Sequence, residues 1–133
     1  MHYLAGYAGA LIASLCADAL WLGTMAKRLY RPTLGDIMLP GVNLPPAIAF
    51  YLLYPAGVIL FAVVPALRMG SPVAAIVYGA LLGLFAYATY DLSNYATLRN
   101  WTLGLTLIDI AWGMALSALA ATVGYAVAEW VGA

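Results

Sequence analysis

Three aspartates, Asp18, Asp91 and Asp109, lie in or at the edge of long apolar stretches, in a chain of 133 residues of which only 8% are charged. A charged side chain inside a membrane costs from about 3 kcal/mol upward, unless it is neutral, paired or hydrated. Carboxylates that lie close together cannot all ionise cheaply, so they tend to share a proton or a cation. We therefore predict that the three aspartates form a polar cluster that binds a proton, a cation or a small ligand.

Side chains that could complete this cluster lie close to each aspartate in the sequence. In DALW (18–21) and in DIAW (109–112) a tryptophan follows the aspartate by three residues, so the indole N–H lies on a neighbouring part of the same helix face. The stretch YDLSNYATLRN (90–100) surrounds the third aspartate with hydroxyl, amide and guanidinium groups. The predicted ligand-binding residues are Asp18, Trp21, Tyr90, Asp91, Asn94, Arg99, Asp109 and Trp112.

Two other interpretations of these residues stay open. The cluster is a structural staple if Asp91 pairs with Arg99 or Arg28 and the other aspartates accept hydrogen bonds from indoles and hydroxyls. It is catalytic if two of the aspartates act as general acid and general base on a membrane substrate. No motif in the sequence identifies catalytic residues.

The rest of the composition argues against several classes of protein. His2 is the only histidine and Cys16 the only cysteine, so the sequence holds no His/Cys metal-ligand set and no pair of cysteines for an intrachain disulfide. Glycine-rich nucleotide loops are absent, and we predict neither a metal nor a cofactor. A net charge of zero provides no basic surface for nucleic acid, which is therefore not an expected partner.

The apolar stretches are long enough to cross a membrane. The chain is 66% hydrophobic, with a mean hydropathy of +0.98, whereas soluble domains carry about 25% charged residues. A spanning helix needs about 20 mostly apolar residues, and four candidates lie at about 3–26, 44–67, 72–93 and 102–128. This pattern predicts an all-α, integral membrane four-helix bundle with short loops, in which residues 1–133 form a single transmembrane domain.

The segments between the helices predict how the bundle is oriented. The stretch KRLYRP (27–32) predicts that the first helix ends near residue 26. The stretch LYRPTLGDIMLPGV (29–42) is predicted to lie on the membrane surface as a lid over the aspartates. Four of the five basic side chains lie in the first and third loops. These loops are therefore predicted to be cytoplasmic, with both termini outside.

Each aspartate ends or begins a line of mainly small residues spaced four apart. Such lines let helix backbones approach closely in lipid, so the aspartates are predicted to point into helix contacts. The second helix lacks such a line and carries FYLLYP (50–55), which predicts an aromatic wall and a proline kink. The three lines are Gly6-Ala10-Ser14-Asp18, Ala75-Gly79-Gly83-Tyr87-Asp91 and Asp109-Gly113-Ser117-Ala121.

Four stretches together resemble a known family. DALWLGTMAKRLY (18–30), AFYLLYPAGVILFAVVPAL (49–67), YDLSNYATLRNW (90–101) and TLIDIAWG (106–113) are similar to the bacterial family of small membrane proteins called domain of unknown function 2177. The resemblance covers nearly the whole chain and implies a four-helix protein of the bacterial inner membrane, without implying an activity. Its motif singles out Asp18, Trp21, Asp91, Asn94, Asp109 and Trp112.

The leading functional hypothesis is a small-ligand, lipid or cation/proton-binding membrane protein, which could belong to a transport process. The alternatives are a lipid-modifying membrane enzyme and a non-catalytic structural subunit of an envelope complex. The expected partners are membrane lipid, a small molecule or cation, and further copies of this chain or a larger membrane complex. A cavity at the aspartates that opens to the cytoplasm or the bilayer would favour ligand binding or catalysis, and a dry, closed cluster would favour the subunit.

Overall fold

The computed structural model describes residues 1–39, 41 and 43–132. Over these residues the chain forms four long helices, α1 (His2–Ile37), α2 (Leu44–Met69), α3 (Pro72–Thr97) and α4 (Leu103–Gly132), and no β-strand. Each helix is long and apolar enough to cross a membrane. The prediction of an all-α, four-helix membrane architecture is confirmed.

The first helix does not end at its basic residues, contrary to the sequence prediction. The α-helical backbone passes into a π-helical turn, Ala26–Tyr30, and continues to Ile37. The wide turn comes just before Pro32, whose ring would clash with the carbonyl group four residues earlier in a regular α-helix. The chain therefore stays helical past this proline, and residues 29–37 of the stretch predicted to be a surface lid are an extension of α1. Pro40 and Val42 of that stretch lie outside the described residues.

A second π-helical turn relieves another proline in the same way. In α2 the turn Ile59–Val63 ends two residues before Pro65, and the N–H of Val64 donates to the carbonyl of Ile59. Pro55, which was predicted to kink this helix, lies inside its regular α-helical part and is buried. The sequence therefore indicated that prolines would disturb the helices, but the disturbance takes the form of widened turns.

The fourth helix occupies the centre of the bundle and packs most extensively on α3 and α1. Its contacts run along the predicted lines of small residues. A Cβ atom added to Gly79 would lie 2.7 Å from the carbonyl oxygen of Ser117, and one added to Gly6 would lie 2.9 Å from that of Gly124. The prediction that these lines face helix contacts is confirmed, because α1 buries only Gly6, Ala10, Ser14 and Asp18 along its α-helical part.

The second helix is held closely at one end only. Its later part, from Ile59 to Met69, packs on α3 and α4, and the tight turn into α3 is made by Gly70 at φ +62° and by Ser71, whose hydroxyl accepts a hydrogen bond from the Ala74 N–H at 3.1 Å. Its earlier part, Leu44–Val58, contacts α1 but scarcely touches α3. The two helices therefore diverge toward the end of the bundle that carries the aspartates.

Candidate functional site

A cavity of about 740 Å³ occupies the end of the bundle where α2 and α3 diverge, and it is partly open to the surroundings. All four helices contribute to its wall, and most of the lining side chains are aromatic or aliphatic. Such a volume is typical of sites for small organic ligands. The lining residues are Asp18, Trp21, Leu22, Tyr30, Leu34, Ile37, Met38, Phe50, Tyr54, Ala86, Tyr87, Tyr90, Asn94, Leu98, Trp101, Asp109 and Trp112.

Asp18 is held by donors from two other helices. The hydroxyl of Tyr51, on α2, donates to Asp18 Oδ2, and the indole Nε1 of Trp112, on α4, donates to Asp18 Oδ1 at 3.3 Å. The Asp18 side chain is 8% exposed, at the end of the buried line of small residues on α1. Its carboxylate is thus fixed in orientation by three helices while it remains part of the cavity wall.

Asp109 is held through a relay that starts on α1. The indole Nε1 of Trp21 donates to the hydroxyl oxygen of Tyr30 at 2.9 Å, and that hydroxyl donates to Asp109 Oδ1. Each tryptophan therefore supports the aspartate of the other helix by hydrogen bonding. Trp112 donates directly to Asp18, and Trp21 donates to Tyr30, which donates to Asp109. The predicted donation from a tryptophan to a carboxylate exists, but it crosses between helices instead of running along one.

The two indoles meet face to face between these hydrogen bonds. The rings of Trp21 and Trp112 stack with centroids 4.4 Å apart and planes 5° apart. Helical side chains lean toward the N-terminus of their helix, so on antiparallel helices the two indoles lean toward each other. The stack joins the two hydrogen-bonded groups into one connected network that runs from Tyr51 to Asp109.

Asp91 occupies a different environment from the other two aspartates. It is fully buried, and neither of its carboxyl oxygens has a hydrogen-bond partner. It interacts electrostatically with Asp109, yet it does not line the cavity. Tyr90 and Asn94, on the same helix, do line it. Asp91 is therefore enclosed, although in the sequence it lies at the edge of an apolar stretch.

Arg99 lies outside the cavity, and the predicted staple between Asp91 and an arginine is not formed. Arg99 and Arg28 are both exposed, while both Asp91 oxygens are unpartnered. The physical reason is the length of α3, which continues to Thr97 instead of ending near residue 93. Arg99 follows Asp91 by eight residues, and at the rise of an α-helix this separation is about 12 Å along the axis of α3. Six of the eight predicted ligand-binding residues line the cavity, and Asp91 and Arg99 do not.

Several lining residues were not among the predicted site residues. The sequence predicts a surface segment at Tyr30, but this residue lies at the end of the π-helical turn and is held in the cavity wall by Trp21 and Asp109. Tyr54 shares a 2.6 Å hydrogen bond with Ser117, and the ring of Tyr87 lies against Gly113. The aromatic pattern of residues 50–54 was a usable signal, since it predicted a wall on α2.

The wall carries acidic groups and no basic group. Asp18 and Asp109 are the only aspartate or glutamate side chains among the described lining residues, and no lysine, arginine or histidine is among them. All five lysine and arginine side chains of the chain are exposed. Among the described residues no three His, Cys, Asp or Glu side chains are grouped as they would be around a metal ion. The site therefore combines two oriented carboxylates with an aromatic, apolar chamber.

Comparison with known proteins gives one finding. The profile of a family described as "Predicted membrane protein (DUF2177)" matches residues 3–126, which is nearly the whole chain. No curated protein and no solved structure matches the chain.

Proposed function

The chain belongs to the DUF2177 family of predicted membrane proteins, and we propose that it binds an amphipathic small molecule or lipid in the cavity at one end of its bundle. The four apolar helices make it a membrane protein. Binding is the function that the shape and lining of the cavity support best.

The observation that carries this proposal is the partly open cavity at the aspartates. The N-terminal part of α2 scarcely contacts α3, and we infer that the chamber opens to the bilayer through a side gap between these two helices. Phe50 and Tyr54 form its wall on α2, and Ala86 and Tyr90 form its wall on α3. An apolar ligand dissolved in the bilayer could enter through this gap without crossing water.

The cavity also bears on the two alternative functions. A structural subunit has no need for a chamber of this size, so the chamber supports ligand binding over a purely structural role. A lipid-modifying enzyme would use the same chamber, with Asp18 and Asp109 as the carboxyl groups available for proton transfer. Chemical conversion of a bound lipid by the purified protein would favour the enzyme.

We propose that the cavity faces the cytoplasmic leaflet of the inner membrane. Lys27, Arg28, Arg31 and Arg99 lie at the cavity end of the bundle, and Arg68 lies at the opposite end. Cytoplasmic loops carry the excess of basic residues, so both termini are expected outside.

The orientation is tested by labelling intact cells with a membrane-impermeant maleimide. In a Cys16→Ser background, we expect Met69→Cys to be labelled and Asp36→Cys to be protected until the cells are permeabilised, since these exposed positions lie at opposite ends of the bundle. Labelling of Asp36→Cys alone in intact cells would show that the protein has the opposite orientation. Labelling of both variants would show that the protein inserts in both orientations.

Binding of an acyl chain is tested with the cavity's own tryptophans. Trp21, Trp101 and Trp112 line the cavity, while Trp130 is 81% exposed near the end of α4. In a Trp130→Phe protein placed in nanodiscs that contain brominated phospholipid, we expect strong quenching of the remaining fluorescence. Filling the side gap by Ala86→Phe should weaken this quenching, because Ala86 lies in the cavity wall.

The matched control is Ala96→Phe, at an exposed position on the same helix that does not line the cavity. It should leave the quenching as it is in the Trp130→Phe protein. Equal quenching in the Ala86→Phe and Ala96→Phe variants would mean that lipid reaches the indoles only from the outer surface, and this result would contradict the proposal.

A further inference from the structure

We propose that the ligand of this cavity is a lipophilic cation, an apolar body that carries an ammonium or similar positively charged group held between Asp18, Asp109 and the paired indoles. This inference rests on the proposed ligand-binding function and names the chemical class of the ligand.

The acidic groups of the wall determine the sign of the charge that a ligand should carry. Asp18 and Asp109 line the chamber, and none of the basic side chains does so. Asp91 is buried near Asp109 but does not line the chamber, so Asp18 and Asp109 are the carboxyl groups that a ligand would meet. Coulomb interactions are strong in surroundings of low dielectric constant, so a cation in the chamber gains attraction and an anion meets repulsion.

The hydrogen bonds of the two lining carboxylates keep them available to a ligand. Their partners are the hydroxyl groups of Tyr30 and Tyr51 and the indole of Trp112, which are neutral donors. Neutral donors orient a carboxylate without cancelling its charge, whereas a lysine or arginine partner would cancel it. No basic side chain of the wall therefore competes with a cationic ligand for these two carboxyl groups.

The aromatic residues of the wall suit a cation that has lost its water. The stacked indoles of Trp21 and Trp112 and the rings of Tyr87 and Tyr90 line the same chamber as the carboxylates. The face of an aromatic ring attracts a cation, most strongly for tryptophan, and such rings are the usual partners of quaternary ammonium groups. The aliphatic part of the wall, with Leu34 and Leu98, would then contact the apolar body.

The test compares two ions of nearly the same size and opposite charge, tetraphenylphosphonium and tetraphenylborate. Each is titrated into the detergent-solubilised full-length Trp130→Phe protein, and binding is followed by the fluorescence of the three cavity tryptophans. We expect saturable binding of tetraphenylphosphonium. Asp18→Asn and Asp109→Asn should each weaken it by about tenfold or more, as expected for the loss of one charge contact.

The matched control for these substitutions is Asp36→Asn, which removes an exposed carboxylate that does not line the cavity. It should leave the dissociation constant of tetraphenylphosphonium unchanged. A circular dichroism spectrum and a melting curve for each variant establish that weakened binding is not a loss of fold.

The outcomes separate this inference from the proposed function. If tetraphenylborate binds as tightly as tetraphenylphosphonium and Ala86→Phe weakens both, the cavity binds ligands but does not select cations, and the inference is overturned alone. If neither ion binds in a manner sensitive to Ala86→Phe, the inference is overturned, and the quenching by brominated phospholipid decides the proposed function separately. Unchanged binding of tetraphenylphosphonium in both aspartate variants also overturns the inference.

The positively charged group could come from a free organic cation or from the head group of an aminolipid. Competition in nanodiscs distinguishes these sources. Displacement of tetraphenylphosphonium by phosphatidylethanolamine but not by phosphatidylglycerol would support an aminolipid, and no displacement by either would support a free cation. Displacement by phosphatidylglycerol alone would contradict selection for positive charge.

Discussion

The two ends of this bundle are built from different side chains, although the same four helices run through both. Around Gly79 and Gly124 the backbones of neighbouring helices approach within contact of the glycine Cα atoms. Around Asp18 and Asp109 the space between the helices is filled by large aromatic residues and by the cavity. Small residues thus make the closely packed scaffold, and bulky residues hold the helices apart where the polar groups lie.

The change from one kind of packing to the other occurs within two turns of α3. Gly83 packs on the backbone of Gly113, and one turn later Tyr87 places its ring against the same glycine. From this point α3 contributes Ala86, Tyr87, Tyr90 and Asn94 to the cavity wall. The polar site of this membrane protein therefore depends on the tightly packed region next to it, which fixes the spacing of the helices.

The largest expected effect comes from a methyl group placed in that tight region. In Gly83→Ala the added Cβ would overlap the carbonyl group of Gly113, and backbone atoms cannot move aside as the tip of a side chain could. Overpacking of this kind costs about 1–3 kcal/mol or more. We expect a clearly lower melting temperature in detergent, measured by circular dichroism, together with weaker ligand binding at the cavity.

Gly23→Ala is the matched control, because a Cβ at Gly23 would have no neighbour within 4 Å. Alanine favours a helix over glycine by about 1 kcal/mol, so this variant should melt at the same temperature as the wild type or slightly higher. Equal destabilisation by both substitutions would mean that close α3–α4 contact does not hold the bundle together.

The smallest expected effect comes from Asp91→Asn. This change removes no ion pair and no hydrogen bond, because neither Asp91 oxygen has a partner. The amide is similar in size to the carboxyl group, so we expect the free energy of unfolding to change by only about 1 kcal/mol. Comparing the thermal melting of Asp91→Asn with that of the wild type measures this change in stability.

A loss of stability of about 3–5 kcal/mol in Asp91→Asn would contradict this expectation. That magnitude is typical of breaking a buried ion pair, and it would revive the staple interpretation with Arg99 or Arg28. The double substitution of Asp91→Asn with Arg99→Gln would then identify the partner, since two residues of one pair do not have additive effects.

Much of the fold could be predicted from the sequence. Four apolar stretches predicted four helices, and the line Gly6-Ala10-Ser14-Asp18 correctly identified the buried face of α1. Asp18 and Asp109 were singled out because a carboxylate is conspicuous in apolar surroundings. These features follow from composition and from spacing within one helix, which are local properties of the chain.

The pairing of the polar groups could not be predicted in this way. Trp112 was expected to lie near Asp109, its neighbour on α4, and instead it donates to Asp18 on α1. Tyr51 was recognised only as part of an aromatic wall, although it holds Asp18 from α2. Which side chains meet between helices depends on how each helix is rotated and displaced along its axis, and periodicity within a single helix carries no information on either.

Composition and hydropathy are enough to identify a membrane protein with four helices able to cross a membrane, and to locate acidic side chains among its apolar residues. They do not reveal that α1 continues past Pro32, that Tyr30 hydrogen-bonds to Asp109, or that Asp91 is enclosed without a partner. The physical reason is that the membrane requires helices of sufficient length whatever their neighbours, whereas the side chains that meet between helices depend on the packing of one helix on another.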